Sequence, residues 1–221
     1  MYLIGTSFFY FRHMELHIFE VGPFMENTYL LTKDGQHLLI DPGFSSATEY
    51  QEFEEKLTGE LVGVVLTHAH VDHVMGLSRV KNDYDVPVYL SDEDRFLWDN
   101  FGSQAQMFGL RQPDFNFTPK ALPSGGDFTV GNFEFECLYT PGHSPDHISL
   151  YFKEEQWVIA GDALFKESIG RTDLYKGNFE VLEKSIKEKL YVLPEETKVY
   201  PGHGPATTIG HEKKHNGFVK G

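Results

Sequence analysis

Eleven histidines occur in the chain, and their placement is not random. Four donors of the kind that hold metals crowd into the run Thr67-His68-Ala69-His70-Val71-Asp72-His73, directly after the apolar Val64-Val65-Leu66. Three more apolar segments end in the same kind of residue. Cys137-Leu138-Tyr139-Thr140 leads through Pro-Gly to His143, Val158-Ile159-Ala160 leads through Gly161 to Asp162, and Val199-Tyr200 leads through Pro-Gly to His203. Imidazole and carboxylate donors suit Zn²⁺ and also Fe or Mn. The seven donors His68, His70, Asp72, His73, His143, Asp162 and His203 exceed one tetrahedral site. They suffice for two sites that share a bridging carboxylate. Two ions roughly 3.5–4 Å apart can hold a hydroxide and clamp both the attacked and the leaving atoms. The chemistry indicated is metal-assisted hydrolysis, with Asp72 and Asp162 as its catalytic carboxylates. One run of this kind is compatible with a polar loop; three further donors at matching positions are not.

The elements that must position these donors are buried strands. Each apolar segment delivers its donor at its C-terminal end, where α/β sheets carry their sites on loops held by a rigid scaffold. Pro-Gly before a histidine makes a tight turn that aims the ring back over the strand end. Elsewhere, residues 16–21, 28–32 and 37–40 read as short strands, the last two joined by the hairpin signal Asp34-Gly35. Ser46 and Glu49 form a capping box ahead of Tyr50, Phe53 and Leu57 at helical spacing. Residues 61–66 and 86–90 read as strands and 74–80 as a helix. The aromatic stretch 92–123 reads either as a helical excursion packed on the core or as a wall over a substrate site. A hairpin (128–130 and 133–139) and strands 148–152, 157–160 and 198–200 follow. A helix over 179–190 carries Phe179, Leu182, Ile186 and Leu190 on one stripe, with Asn178 as its N-cap.

The 221 residues suit one α/β domain. A hydrophobic share of 40% with 24% charged residues is ordinary for a soluble protein. Net charge of −14 argues against binding to a phosphate backbone. One cysteine, Cys137, excludes an internal disulfide framework and fits a reducing compartment. It lies in an apolar strand and reads as an inert core residue. No apolar run approaches the roughly 18 residues of a membrane span. The expectation is a cytoplasmic protein that binds neither nucleic acid nor membrane. Residues 1–11 are apolar and aromatic, without the positive start and small-residue cleavage site of a signal peptide. Met14 opens a cleaner strand pattern. Residues 1–13 are therefore expected to be an extension upstream of the native start, and 14–221 a single domain.

The donor pattern resembles the metallo-β-lactamase superfamily, whose mark is His-x-His-x-Asp-His after a buried strand. The likeness runs over nearly the whole chain from Met14. It implies an α/β fold, an αββα sandwich of two mixed β-sheets flanked by helices, with the site on one edge. It also implies a ligand assignment. His68, His70 and His143 would hold the first metal, and Asp72, His73 and His203 the second. Asp162 would bridge the two with a hydroxide. Two Zn²⁺ are the expected cofactors, with Fe or Mn as substitutes at one or both sites. Asp41, in Asp-Pro-Gly at a strand end, resembles the acid that supports the family's ligands; a plain turn residue is the other reading. His147 reads as a neighbour of the ligands.

Within the superfamily the chain is most similar to small glyoxalase II-like (hydroxyacylglutathione hydrolase-like) hydrolases. This implies a small-molecule partner, a glutathione thioester such as S-lactoylglutathione. Asp162 stands where the commonest zinc β-lactamases carry cysteine, which points away from antibiotics. Long glyoxalase II enzymes carry a C-terminal helical domain, whereas His203 lies only 18 residues from the end of this 221-residue chain. The run Gly170-Arg171-Thr172-Asp173 keeps a basic residue where glyoxalase II also has aromatics. Arg171 reads as a clamp on a substrate carboxylate or as an ion pair with Asp173. The same run resembles persulfide dioxygenases, which use one iron held by two histidines and an aspartate. That activity, and lactone or ester hydrolysis, are the alternatives.

Overall fold

The computed structural model describes residues 13–110 and 115–221. The expected N-terminal extension, apart from its last residue, lies outside the described residues. The first sheet runs β1 (Glu15–Val21), β2 (Glu26–Lys33), β3 (Gln36–Ile40), β4 (Glu60–Val65), β5 (Val88–Ser91) and β6 (Lys120–Leu122), in that spatial order. Its first three strands are antiparallel and the rest join in parallel. In the second sheet, β7 (Gly125–Val130), β8 (Phe133–Tyr139), β9 (Ile148–Phe152) and β10 (Trp157–Gly161) pair antiparallel in sequence. A small hairpin follows, β11 (Leu164–Phe165) with β12 (Ser168–Ile169). Then β13 (Lys198–Pro201) joins β10 in parallel, and β14 (Thr207–Thr208) closes that edge.

Period-two alternation lets each central strand feed two layers. In β3, Leu38 and Ile40 pack between the sheets with Ile159 of β10, while Leu39 packs outward. Val158 and Ala160 of β10 also face outward. The outer face of the first sheet is covered by α1 (Ala47–Lys56), α2 (Val71–Val74), α3 (Leu77–Asp83), α4 (Phe96–Asp99) and α5 (Phe101–Met107). The outer face of the second is covered by α6 (Phe179–Ser185), its π-helical continuation Ile186–Leu190, and α7 (Ile209–His215). This is the expected αββα sandwich of two mixed sheets. Among the described residues, no helix is long and apolar enough to cross a membrane.

Local signals explain most boundaries. Ser46 accepts from the Glu49 amide at 3.2 Å, and Glu49 accepts back from the Ser46 amide at 3.0 Å, which starts α1. Asp34 and Gly35 both take positive φ in the turn between β2 and β3 (51° and 78°). The helix expected over 74–80 is instead two short ones that meet at Gly76. A Cβ there would lie 2.9 Å from the Phe44 side chain, so the packing of Phe44 requires the glycine. Phe179 leaves the expected stripe: it is 39% exposed, while Leu182, Ile186 and Leu190 are buried. Burial begins at Leu182, where α6 meets the Gly142 turn. The aromatic stretch divides. Trp98 and Phe115 stack at 4.5 Å within the helical layer, whereas Phe108 faces a cleft. Cys137 lies between the sheets, and burial pushes its thiol up to about 12.

Phe53 anchors α1 with ring contacts to Phe19, Phe44, Tyr50 and Tyr84. Phe53→Ala is expected to lower the unfolding free energy by about 3–5 kcal/mol in a denaturant titration, and a loss under about 1 kcal/mol contradicts this packing.

Candidate metal centre

The donors meet where the strands end. β4 stops at Val65, and two residues later the chain turns through His68 and His70 into α2, which carries Asp72 and His73. His143 follows β8, Asp162 follows β10, and His203 follows β13. His68 Nε2 lies 3.0 Å from His70 Nδ1, which lies 2.8 Å from His143 Nε2. Asp162 adjoins this trio and a second one. Its Oδ2 is 3.4 Å from His143 Nε2 and 3.5 Å from His203 Nε2, and its Oδ1 is 3.4 Å from His73 Nε2. His203 Nε2 is also 3.3 Å from Asp72 Oδ2. All seven expected donors are thus brought together.

The remaining ring nitrogens are mostly held from behind. His68 Nδ1 meets Thr67 Oγ1 at 3.0 Å, and His73 Nδ1 meets Asp41 Oδ2 at 3.0 Å. His143 Nδ1 donates to the Arg171 carbonyl at 2.8 Å, and His203 Nδ1 to the Phe24 carbonyl at 3.0 Å. Such contacts set tautomer and ring direction. Asp41 is therefore more than a turn residue: its carboxylate also accepts from the Thr67 amide and hydroxyl at 2.7 and 2.6 Å. His147 accepts from the Asp162 amide at 2.9 Å and supports that residue's backbone. Gly202 leaves room for the Asp162 carboxylate, since a Cβ would lie 2.0 Å from Oδ1.

Charge at the site favours cations. Burial holds His68 well below the usual imidazole range and pulls His70 down to about 3, so both present lone pairs. His73 and His203 behave oppositely. Burial opposes their charge, but Asp162 and Asp72 outweigh it, lifting His73 well above the usual range and His203 to about 10. His73 Nε2 and Asp162 Oδ1 are buried without a hydrogen-bond partner. Orphaned nitrogen and oxygen atoms facing one another are what a divalent ion satisfies, so the residues fit one.

Two buried acids escaped the sequence reading. Glu26 is fully buried, 3.7 Å from His73 Nδ1, and burial holds its carboxyl well above the usual range. Asp146 accepts from the Ala69 amide at 2.9 Å and so pins the turn between His68 and His70. No sequence signal set Glu26 apart, since β2 also carries Asn27, Thr28, Thr32 and Lys33. Arg171 borders the cleft, but its Nε and one terminal nitrogen donate to Asp173 at 2.7 and 2.8 Å. The geometry thus gives the ion pair.

The family model of the metallo-beta-lactamase superfamily matches residues 21–203. "Probable metallo-hydrolase YqgX" of Bacillus subtilis is 41% identical, over 91% of this chain and 95% of that protein. Hydroxyacylglutathione hydrolase GloC of Haemophilus influenzae is 37% identical, over 93% and 98%. Two solved structures are similar. BLEG-1 B3 metallo-beta-lactamase superposes with TM-score 0.85 at 35% identity, covering 94% of this chain and all of that one. The di-iron-bound form of TTHA1623 gives TM-score 0.83 at 36% identity, covering 92% and 100%.

Two outcomes follow from this geometry. The neighbouring carboxylates favour the protonated forms of His73 and His203, so metal uptake near pH 7 is expected to release protons and to weaken as pH falls. Calorimetry in two buffers of different ionisation enthalpy reads this, and zero release contradicts it. Gly202→Ala should push Asp162 aside and cut metal affinity about tenfold or more, measured against a chelating dye, with the circular dichroism spectrum retained.

Proposed function

The chain belongs to the metallo-beta-lactamase superfamily, and on that premise we propose that it is a metal-dependent hydrolase cleaving thioesters, S-lactoylglutathione among them. One observation carries this reading: two adjoining donor groups share Asp162 at the floor of one cleft. His68, His70 and His143 would hold one ion, and Asp72, His73 and His203 another, with Asp162 between them. Zn²⁺ fits the donors, and Fe or Mn fits them too. Bound there, such ions supply a hydroxide at neutral pH and polarise a carbonyl.

The side chains do the rest. Asp41 keeps its hydrogen bond on Nδ1 of His73, which directs Nε2 inward. Asp72 and Asp162 line the cleft in which the thioester would lie. Hydrolysis forms a C–O bond, breaks the C–S bond, and yields an acid and a thiol. A thiol pKa of about 8.5 lets the thiolate leave without a general acid. Cys137 is buried between the sheets, too far into the core to act as a nucleophile. A single buried cysteine also suits a cytoplasmic setting. The name of the GloC relative supports the thioester.

Steady-state hydrolysis of S-lactoylglutathione by the zinc-loaded chain tests this. Asp162→Ala is expected to fall below about one hundredth of the parent rate and to lose metal. Undiminished turnover in that variant refutes the shared-carboxylate centre. Oxygen uptake with a persulfide and one iron per chain would support the dioxygenase instead.

A further inference from the structure

The donors form only the floor of a cleft of about 380 Å³, and its walls are mostly apolar, with Gln104 and Ser168 as the uncharged polar side chains among them. Phe24, Phe108 and Val71 stand on one side, and Phe165, Ile169 and Leu174 on the other. Building on the hydrolase reading, we propose that the cleft selects thioesters whose acyl group is an unbranched apolar chain longer than lactoyl, lying against Phe24, Phe108 and Ile169. Lactoyl has three carbons and a hydroxyl. It would leave most of the apolar part of this wall wet.

Both walls are fixed relative to the centre. Phe24 and Phe108 meet edge to face with centroids 5.5 Å apart, and the carbonyl of Phe24 is the one that holds His203. On the other side, the β11–β12 hairpin rests on the fully buried Glu212 of α7. The Glu212 carboxylate accepts from the Glu167 amide at 2.8 Å, Thr207 Oγ1 at 2.6 Å and Asn216 Nδ2 at 2.9 Å. Asn216 Nδ2 also donates to the Ser168 carbonyl at 2.9 Å. Directly after the hairpin, the carbonyl of Arg171 holds His143. A wall already held in place costs an incoming chain little ordering. Phe108 remains 38% exposed, an apolar surface at the mouth of a polar centre, which is the mark of a ligand groove. The bordering cation Arg171 is already engaged by Asp173, so the mouth is not organised around a charged acyl group.

The test separates this inference from the hydrolase reading. Glutathione thioesters carrying acetyl, butanoyl, hexanoyl, octanoyl and lactoyl groups are compared on the metal-loaded full chain. Specificity, kcat/KM, is expected to rise about threefold per methylene up to hexanoyl, with lactoyl below butanoyl. Non-hydrolysable S-alkylglutathiones are titrated calorimetrically in parallel, and their Kd should tighten by a similar factor per methylene. Phe108→Ala and, on the opposite wall, Ile169→Ser should each flatten both series, so a folding failure in one leaves the other informative. A flat series in both assays, or lactoyl as the best substrate, overturns the acyl inference and leaves the hydrolase standing. No hydrolysis of any thioester overturns the hydrolase reading, and the alkyl titration then still decides what the walls bind.

Discussion

The structure is organised around ionisable side chains held out of water. Asp41, Asp162 and Glu26 lie out of water beside His68, His73 and His143 at one edge of the sandwich. Uncompensated, each such group costs several kcal/mol. The chain answers in two ways. Thr67 donates to Asp41, while the Asp162 amide donates to His147 and ring nitrogens donate to backbone carbonyls, which satisfies the outward groups and leaves the inward ones facing one another. The second choice makes sense only if a cation completes the set. Asp162 and Asp72 pull His73 and His203 toward the protonated form against the cost of burial.

Such an arrangement needs a rigid frame, because ligand directions must hold to a few tenths of an ångström. The frame is the pair of sheets. Strands β4, β8, β10 and β13 are locked by apolar residues on both faces, and their ends cannot drift independently. Irregularity is confined to where aim matters. The β10–β13 register shifts between Ile159 and Gly161, which swings Asp162 across the sheet edge. Gly202 on the facing turn admits its carboxylate.

The donors were legible in the sequence because two signals coincided: an apolar strand and a metal-type residue at its end. Neither depends on distant contacts. The same logic explains what was not legible. Asp41 could be a turn residue or a support, since the choice depends on His73 arriving from thirty-odd residues away. Arg171 kept two readings because Asp173 is its neighbour in both. Glu26 fell outside the strand read over 28–32, and its burial depends on Gly43, His73 and His203, which are distant in sequence. The hairpin β11–β12 has two residues per strand, too few for any periodicity to register. Helix α2 has a single turn of its own, and Gly76 hid the break before α3.

The C-terminal helix stiffens the cleft without entering it. Here α7 never reaches the cleft. Its buried Glu212 and the following Asn216 grip the β11–β12 hairpin from behind, and the hairpin presents Phe165, Ser168 and Ile169 to the cleft. Binding surface is thus supplied by the sandwich's own connections and stiffened by the tail. A site made this way inherits the character of those connections, and these are mostly apolar. The donor centre and the walls around it are therefore separable: the first comes from strand ends, the second from loops that can change without disturbing them.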